Sequence, residues 1–176
     1  MTPSLLRRVV DTLDAAGIPH ALIGAAALAT HGISRSTLDQ DLLTTDARAL
    51  DAAMWQTMRD ADIDIRRGDA SDPLAGVVRL TAPHERDVDV IIGRHAWQGA
   101  LVDEAETIET AEGRLRVVTP AALVLLKLYA GGTQDLWDIA QLRAALGPAL
   151  DAEVDARVSQ LPADAQAAWA KVRSAR

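Results

Sequence analysis

Hydrophobic residues change their period at Thr119-Pro120, and that switch restricts the chain to a mixed fold. Before it, short apolar runs bounded by turn residues read as strands: His20-Ala21-Leu22-Ile23, Asp39 to Leu43, Ile63-Asp64-Ile65-Arg66, Val77-Val78-Arg79-Leu80 and Asp87 to Ile92. After it, apolar positions recur at helical spacing over about 120–130, 133–146, 150–160 and 163–174. Thr119 is a cap and Pro120 a favoured first helical residue; Gly131-Gly132, Gly147-Pro148 and Leu161-Pro162 break the run into separate helices. Near the start, Leu5, Leu6, Val9, Val10 and Leu13 share one face of a helix over 4–16, with Ser4 as cap and Gly17 as stop. Gly24 opens an alanine-rich helix ending near His31-Gly32, Asp46 caps a helix over 47–61, and 106–118 reads as a hairpin turning at Glu112-Gly113. The expected class is α+β: a mixed β-sheet core with helices packed on it and a C-terminal helical bundle. Residues 1–118 form the core in this reading and 119–176 the helical region, packed on it as one compact unit.

Composition removes several kinds of chemistry. There is no cysteine among the 176 residues, so disulfides, thiolate metal sites and cysteine nucleophiles are excluded. Phe is absent too, which leaves Ala, Leu, Val and Ile to fill the core. A formal charge of −7 argues against wrapping nucleic acid by bulk charge. Arg66, Arg67, Arg79, Arg86, Arg94, Arg114 and Arg116 lie in or beside the strands; clustered they would form a local basic patch, scattered they are solvated charges. The N-terminus does not read as a signal peptide, and no apolar run approaches the ~20 residues of a membrane span. The expectation is a cytoplasmic protein with no membrane partner.

No Walker loop, G-x-G-x-x-G, HExxH or G-x-S-x-G is present, and His20, His31, His84 and His95 lack metal-ligand spacing. The carboxylates are arranged differently. Asp39 and Asp41 project to one face of their strand, and Asp87 and Asp89 to one face of theirs. A carboxylate inside an apolar strand is costly unless it is paired or bound to a metal. Two such strands side by side would gather carboxylates whose repulsion a cation must relieve, and oxygen-only donors suit Mg²⁺ or Mn²⁺. The same spacing also arises where an Asp caps a strand end or faces solvent.

Read continuously, residues 22–43 run Leu-Ile-Gly-Ala-Ala-Ala-Leu-Ala-Thr-His-Gly-Ile-Ser-Arg-Ser-Thr-Leu-Asp-Gln-Asp-Leu-Leu. This resembles the signature of the polymerase-β-like nucleotidyltransferases: a strand ending in Gly-Gly or Gly-Ser, a helix, then a D-x-D strand. The run Gly32-Ile33-Ser34-Arg35-Ser36-Thr37-Leu38-Asp39 is similar to the branch of AbiEii-type toxins of type IV toxin–antitoxin systems. Val88-Asp89-Val90 matches the superfamily's third carboxylate, with Asp87 as the competing position. Lys127 in Ala122 to Ala130, followed by Asp135-Leu136-Trp137-Asp138, resembles that branch's K…D-x-x-D segment. The similarity covers about residues 20–142. Ala25 departs from the usual Gly or Ser, Gln40 from an apolar residue, and Gly131-Gly132-Thr133-Gln134 stands where an Arg often precedes the acidic pair.

The resemblance implies a metal-dependent transfer of a nucleoside monophosphate from a nucleoside triphosphate to an acceptor hydroxyl on RNA, protein or a small molecule. It implies Asp39, Asp41 and Asp89 as ligands of Mg²⁺ or Mn²⁺, with Asp89 also the base. Gly24 and Ala25 would offer backbone to a phosphate; Arg35, Thr37 and Lys127 would contact phosphates, and Asp135 and Asp138 would flank the nucleotide. The toxin branch further implies an antitoxin encoded nearby. The competing expectation is a nucleotidyltransferase fold without turnover, acting as a binding or regulatory module.

Overall fold

The computed structural model describes residues 3–34 and 39–175, so Arg35 and Thr37, both expected at the site, lie outside the described residues. The described residues divide into two units: one runs to Val118 without His31–Ile33, and the other comprises His31–Ile33 and everything from Thr119.

The first unit is built on a seven-stranded sheet. Along the chain come α1 (Leu5–Ala15), β1 (Ala21–Ile23), α2 (Gly24–Thr30), β2 (Gln40–Thr44), β3 (Asp62–Arg67), β4 (Leu74–Thr81), β5 (Val88–Gly93), α3 (Ala96–Asp103), β6 (Glu106–Thr110) and β7 (Gly113–Val117). The strands lie in the order β3-β4-β5-β2-β1-β7-β6. Pairs β2–β5 and β1–β7 are parallel and the rest antiparallel, which makes the sheet mixed, as the alternating runs predict. Each parallel neighbour is distant in sequence, as parallel pairing demands.

Alternation along β4 and β5 separates two faces. Val78, Leu80, Val88, Val90 and Ile92 are buried, while Val77, Arg79, Thr81, Asp89 and Ile91 are half-buried. Helix α1 buries Leu5, Leu6, Val9, Val10 and Leu13, as their spacing predicts. The Ser4 hydroxyl accepts from the Arg7 amide at 3.2 Å and caps it, and Gly17 ends it at φ 63°.

Two segments differ from their sequence reading. The single helix expected over 47–61 is a pair of short 3-10 turns, Ala47–Leu50 and Ala52–Trp55. Asp46 caps the first as expected, but Asp51 caps the second, its carboxylate accepting from the Ala53 amide at 2.9 Å. A capping residue in extended conformation cannot sit inside a continuous helix, and Asp51 has ψ 119°. Trp55 then fixes the second turn by donating its indole N–H to the Ala49 carbonyl. The second difference is α3, which carries no clear apolar period and includes Gly99. Buried Gln98 holds its start, its side-chain oxygen accepting from the amides of Arg94 and His95 at 2.8 and 2.9 Å.

The second unit is helical: α4 (Pro120–Ala130), α5 (Thr133–Leu146), α6 (Pro148–Asp155) and α7 (Ala163–Ser174), with a 3-10 turn at Val158–Gln160. The helix expected over 150–160 therefore starts earlier and stops at Asp155. Thr119 caps α4 by accepting from the Ala122 amide, Pro120 occupies its first turn, and Gly131 ends it in the left-handed region at φ 70°. No helix among the described residues is long and apolar enough to cross a membrane.

Candidate active site

In the first unit, sheet register alone lines up four charged residues on neighbouring strands. Asp41 of β2 pairs with Asp89 of β5, Asp89 with Arg79 of β4, and Arg79 with Asp64 of β3. Residues directly opposite across a ladder project from the same face. Asp39, just before β2, reaches the same face, since its Oδ2 lies 3.5 Å from Arg79 Nη2.

Arg79 binds Asp89 with both arms of its fork, Nε donating to Oδ1 at 2.8 Å and Nη2 to Oδ2 at 2.6 Å. The same Nη2 reaches Asp39 Oδ2 at 3.5 Å. One guanidinium thus ties the first and third of the expected carboxylates together. Asp89 is the sheltered partner, with 14% of its side chain exposed against 41% for Arg79 and 43% for Asp39. Hydrogen bonding to Asp89 and the charge of that carboxylate hold the Arg79 pKa far above its ordinary value; desolvation opposes this, and Asp39 and Asp87 add to it. The cation is permanent at any working pH. A groove of about 240 Å³, lined by Asp64, Arg66, Val77, Arg79 and Asp89, opens beside the pair.

Gly24 is needed here for a steric reason. It stands at the β1–α2 junction with φ 64°, and a Cβ added to it would collide with Asp41 Oδ2 and lie 3.1 Å from Cγ. The glycine therefore makes room for the Asp41 carboxylate. Ala25, the next residue of α2, is half-buried.

The residues expected to hold a metal, Asp39, Asp41 and Asp89, are of one chemical kind. Their donors are all carboxylate oxygens, the chemistry Mg²⁺ and Mn²⁺ select, and Asp41 Oδ2 packs into the space that a Cβ on Gly24 would take. Among the described residues, however, no three His, Asp or Glu side chains are grouped so as to hold a metal ion. The guanidinium of Arg79 lies between Asp39 and Asp89.

Arg79 is the residue whose part the sequence reading missed, although a signal existed. An arginine inside Val77-Val78-Arg79-Leu80 requires a partner as much as an aspartate inside Val88-Asp89-Val90 does. Of the other strand-side arginines, only Arg66 lines the same groove. Arg66 pairs with Asp64 and Arg114 with Glu109, while Arg67, Arg94 and Arg116 donate to backbone carbonyls of Leu50, of Asp69 and Leu74, and of Val102 and Asp103.

In the second unit, Lys127 of α4 donates to Asp138 Oδ2 at 2.5 Å and to Asp135 Oδ1 at 3.1 Å, both on α5. The Gly131-Gly132 turn makes this possible by reversing the chain, and the Gly132 amide donates to Asp135 Oδ2 at 3.1 Å. The structure brings these three expected residues together. Asp138 is wholly buried and Lys127 nearly so.

No protein-family profile matches the chain, and no curated protein matches it in sequence. Solved structures do match its fold. The crystal structure of ANT(2″)-Ia in complex with adenylyl-2″-tobramycin aligns with TM-score 0.57 at 17% identity, over 89% of this chain and 96% of the other. The solution structure of the same antibiotic-resistance factor aligns with TM-score 0.55 at 17% identity, over 89% and 90%. The chain has a nucleotidyltransferase fold. On that fold, Asp41 and Asp89 occupy adjacent parallel strands and Gly24 clears the space beside them.

Proposed function

We propose that this protein is a metal-dependent nucleotidyltransferase, moving a nucleoside monophosphate from a nucleoside triphosphate to an acceptor hydroxyl. The observation that carries the reading is the register of Asp41 with Asp89 on parallel neighbours, beside a glycine that admits the Asp41 carboxylate, on a nucleotidyltransferase fold. Paired carboxylates without a compensating ion would repel each other. Asp39 and Asp41 are assigned to a Mg²⁺ or Mn²⁺ ion, which would supply charge stabilisation at the transferring phosphate. Asp89, sheltered and held by Arg79, is assigned to accept the proton of the acceptor hydroxyl. Gly24 and Ala25 would offer backbone to the triphosphate. Lys127 is already neutralised by Asp135 and Asp138, so its part in this reading is to fix α4 against α5 and orient Asp135.

The motif likeness to AbiEii-type toxins favours RNA or protein as acceptor and an antitoxin partner. The fold neighbour bound to adenylyl-2″-tobramycin favours a small polyhydroxylated acceptor. A transfer assay decides: α-labelled triphosphates, Mg²⁺, and in turn total RNA, the protein itself and aminoglycosides. Labelled product with one acceptor class, abolished by Asp41→Ala, is the expected result. The second reading, a fold without turnover, is favoured by the Arg79 fork that already engages both oxygens of Asp89. It prevails if no acceptor is labelled and nucleotide binding does not depend on metal.

A further inference from the structure

We propose that Arg79 is a positioning residue that stands in for a second metal ion, so that the site takes one divalent cation, at Asp39 and Asp41, rather than two. This deepens the nucleotidyltransferase reading and rests on it. In two-metal transfer sites a pair of ions stabilises the attacking and leaving oxygens, and each ion also offsets the charge of the carboxylates that hold it. Here that offset comes from a side chain.

Three features make the substitution structural rather than a passing surface contact. First, Arg79 faces Asp89 because β4 and β5 are in register there, so the pairing is set by backbone hydrogen bonds on both strands. Second, the fork engages both oxygens of Asp89, at 2.8 and 2.6 Å, so an ion seeking that carboxylate must break a bidentate pair. Third, the same Nη2 lies 3.5 Å from Asp39 Oδ2, placing fixed positive charge between the carboxylates that a second ion would bridge. A guanidinium cannot relieve that repulsion by losing its proton. Asp41 is the carboxylate farther along the row from Arg79, with Asp89 between them, and its Oδ2 packs against Gly24.

Arg79 therefore does for Asp89 what an ion would do, with a different geometry. It holds the carboxylate by both oxygens on the sheet face, beside the groove lined by Asp64 and Val77. The formal charge it brings is half that of a divalent ion. The site should tolerate low concentrations of free metal once the first ion is bound.

The test is a Mn²⁺ titration of the full chain, with free ion followed by electron paramagnetic resonance, on wild type, Arg79→Met, Arg79→Lys and Asp41→Asn. Wild type should bind one ion and Asp41→Asn none. Arg79→Met should bind two, the second about tenfold or more tighter than any second ion in wild type. Arg79→Lys keeps the charge without the fork and should stay at one. Circular dichroism checks that each variant is folded, and Arg79→Gln replaces the methionine variant if that one is not. Two Asp41-dependent ions in wild type, or a count that does not rise in Arg79→Met, overturn the proposal for Arg79 and leave the transferase reading intact. Binding that ignores Asp41→Asn, or no binding at all, removes the metal site itself and both readings with it.

Discussion

Each unit of this protein holds a cation between aspartates, and the two clusters differ in almost everything else. Arg79 with Asp89 and Asp39 lies on a half-open sheet face beside a groove. Lys127 with Asp138 and Asp135 lies between two helices, Asp138 having no exposed side-chain surface. The comparison separates two uses of the same charges. A buried pair is expensive to desolvate and ruinous to break, so it fixes geometry. A half-open pair contributes little to stability, because water and salt compete for both partners.

The sharpest way to break the contrast is Asp138→Ala. It removes the buried partner of the Lys127 ammonium, leaving only the more exposed Asp135, and should cost up to about 3–5 kcal/mol in urea unfolding. The double variant K127M/D138L removes both charges for apolar side chains and should return to within about 1 kcal/mol of wild type. A double variant as unstable as the single would mean that the pair specifies the α4–α5 arrangement rather than merely surviving in it. Gly24→Ala comes next. A Cβ meeting Asp41 on a backbone at positive φ should cost about 1–3 kcal/mol and depress nucleotide transfer far more than that loss explains.

A third cluster sits between these extremes. Asp151 accepts from Arg143 Nε and Nη2 and from Arg173 Nη1 at 2.7–3.1 Å. Hydrogen bonds from Arg143 lead in lowering its pKa below the usual carboxylate value; burial opposes them, and the charge of Arg143 and then Arg173 add to the lowering. A carboxylate depressed in the folded state gives stability that is present above its unfolded pKa, about 3.9, and is lost as pH falls through the folded value. Unfolding free energies of wild type and Asp151→Asn should therefore differ at neutral pH and converge in acid. A constant gap down to the acid limit would locate the effect in packing instead. The smallest effect on stability belongs to Arg79→Met, at most about 1 kcal/mol, even though its effect on metal binding should be large.

Local signals in the sequence reach most elements and few of their partners. Ser4, Thr119-Pro120 and Gly131 mark helix ends by chemistry acting within a few residues, and the helices they bound are found there. Residues 47–61 misled because Asp51 reads as one polar position on a helix surface, whereas it caps a fresh turn. Helix α3 was hidden because its stabilising contact, Gln98 to two preceding amides, leaves no apolar stripe. The carboxylates of the candidate site were visible as charges in apolar strands. Their arrangement was not, since only strand order places β5 between β4 and β2 and so sets Asp89 between Arg79 and Asp41. Arg79 shows the limit well. Its need for a partner is written in Val77-Val78-Arg79-Leu80, and the identity of that partner is written only in the register.

The placement of β5 between β4 and β2 has a consequence for how the protein comes into being. Strands β3 and β4 form a hairpin from neighbouring residues, whereas β2 pairs with β5 across the whole of that hairpin in sequence. Such long-range parallel pairing is late and slow in folding. Asp41 and Asp89 therefore remain strangers through synthesis of everything between them. A nascent chain that has not yet released β5 carries Gly24, Asp39 and Asp41 but lacks Asp89 and the strand that sets it beside Asp41. The candidate site proposed above is therefore complete only when β5 joins β2 in the middle of the sheet.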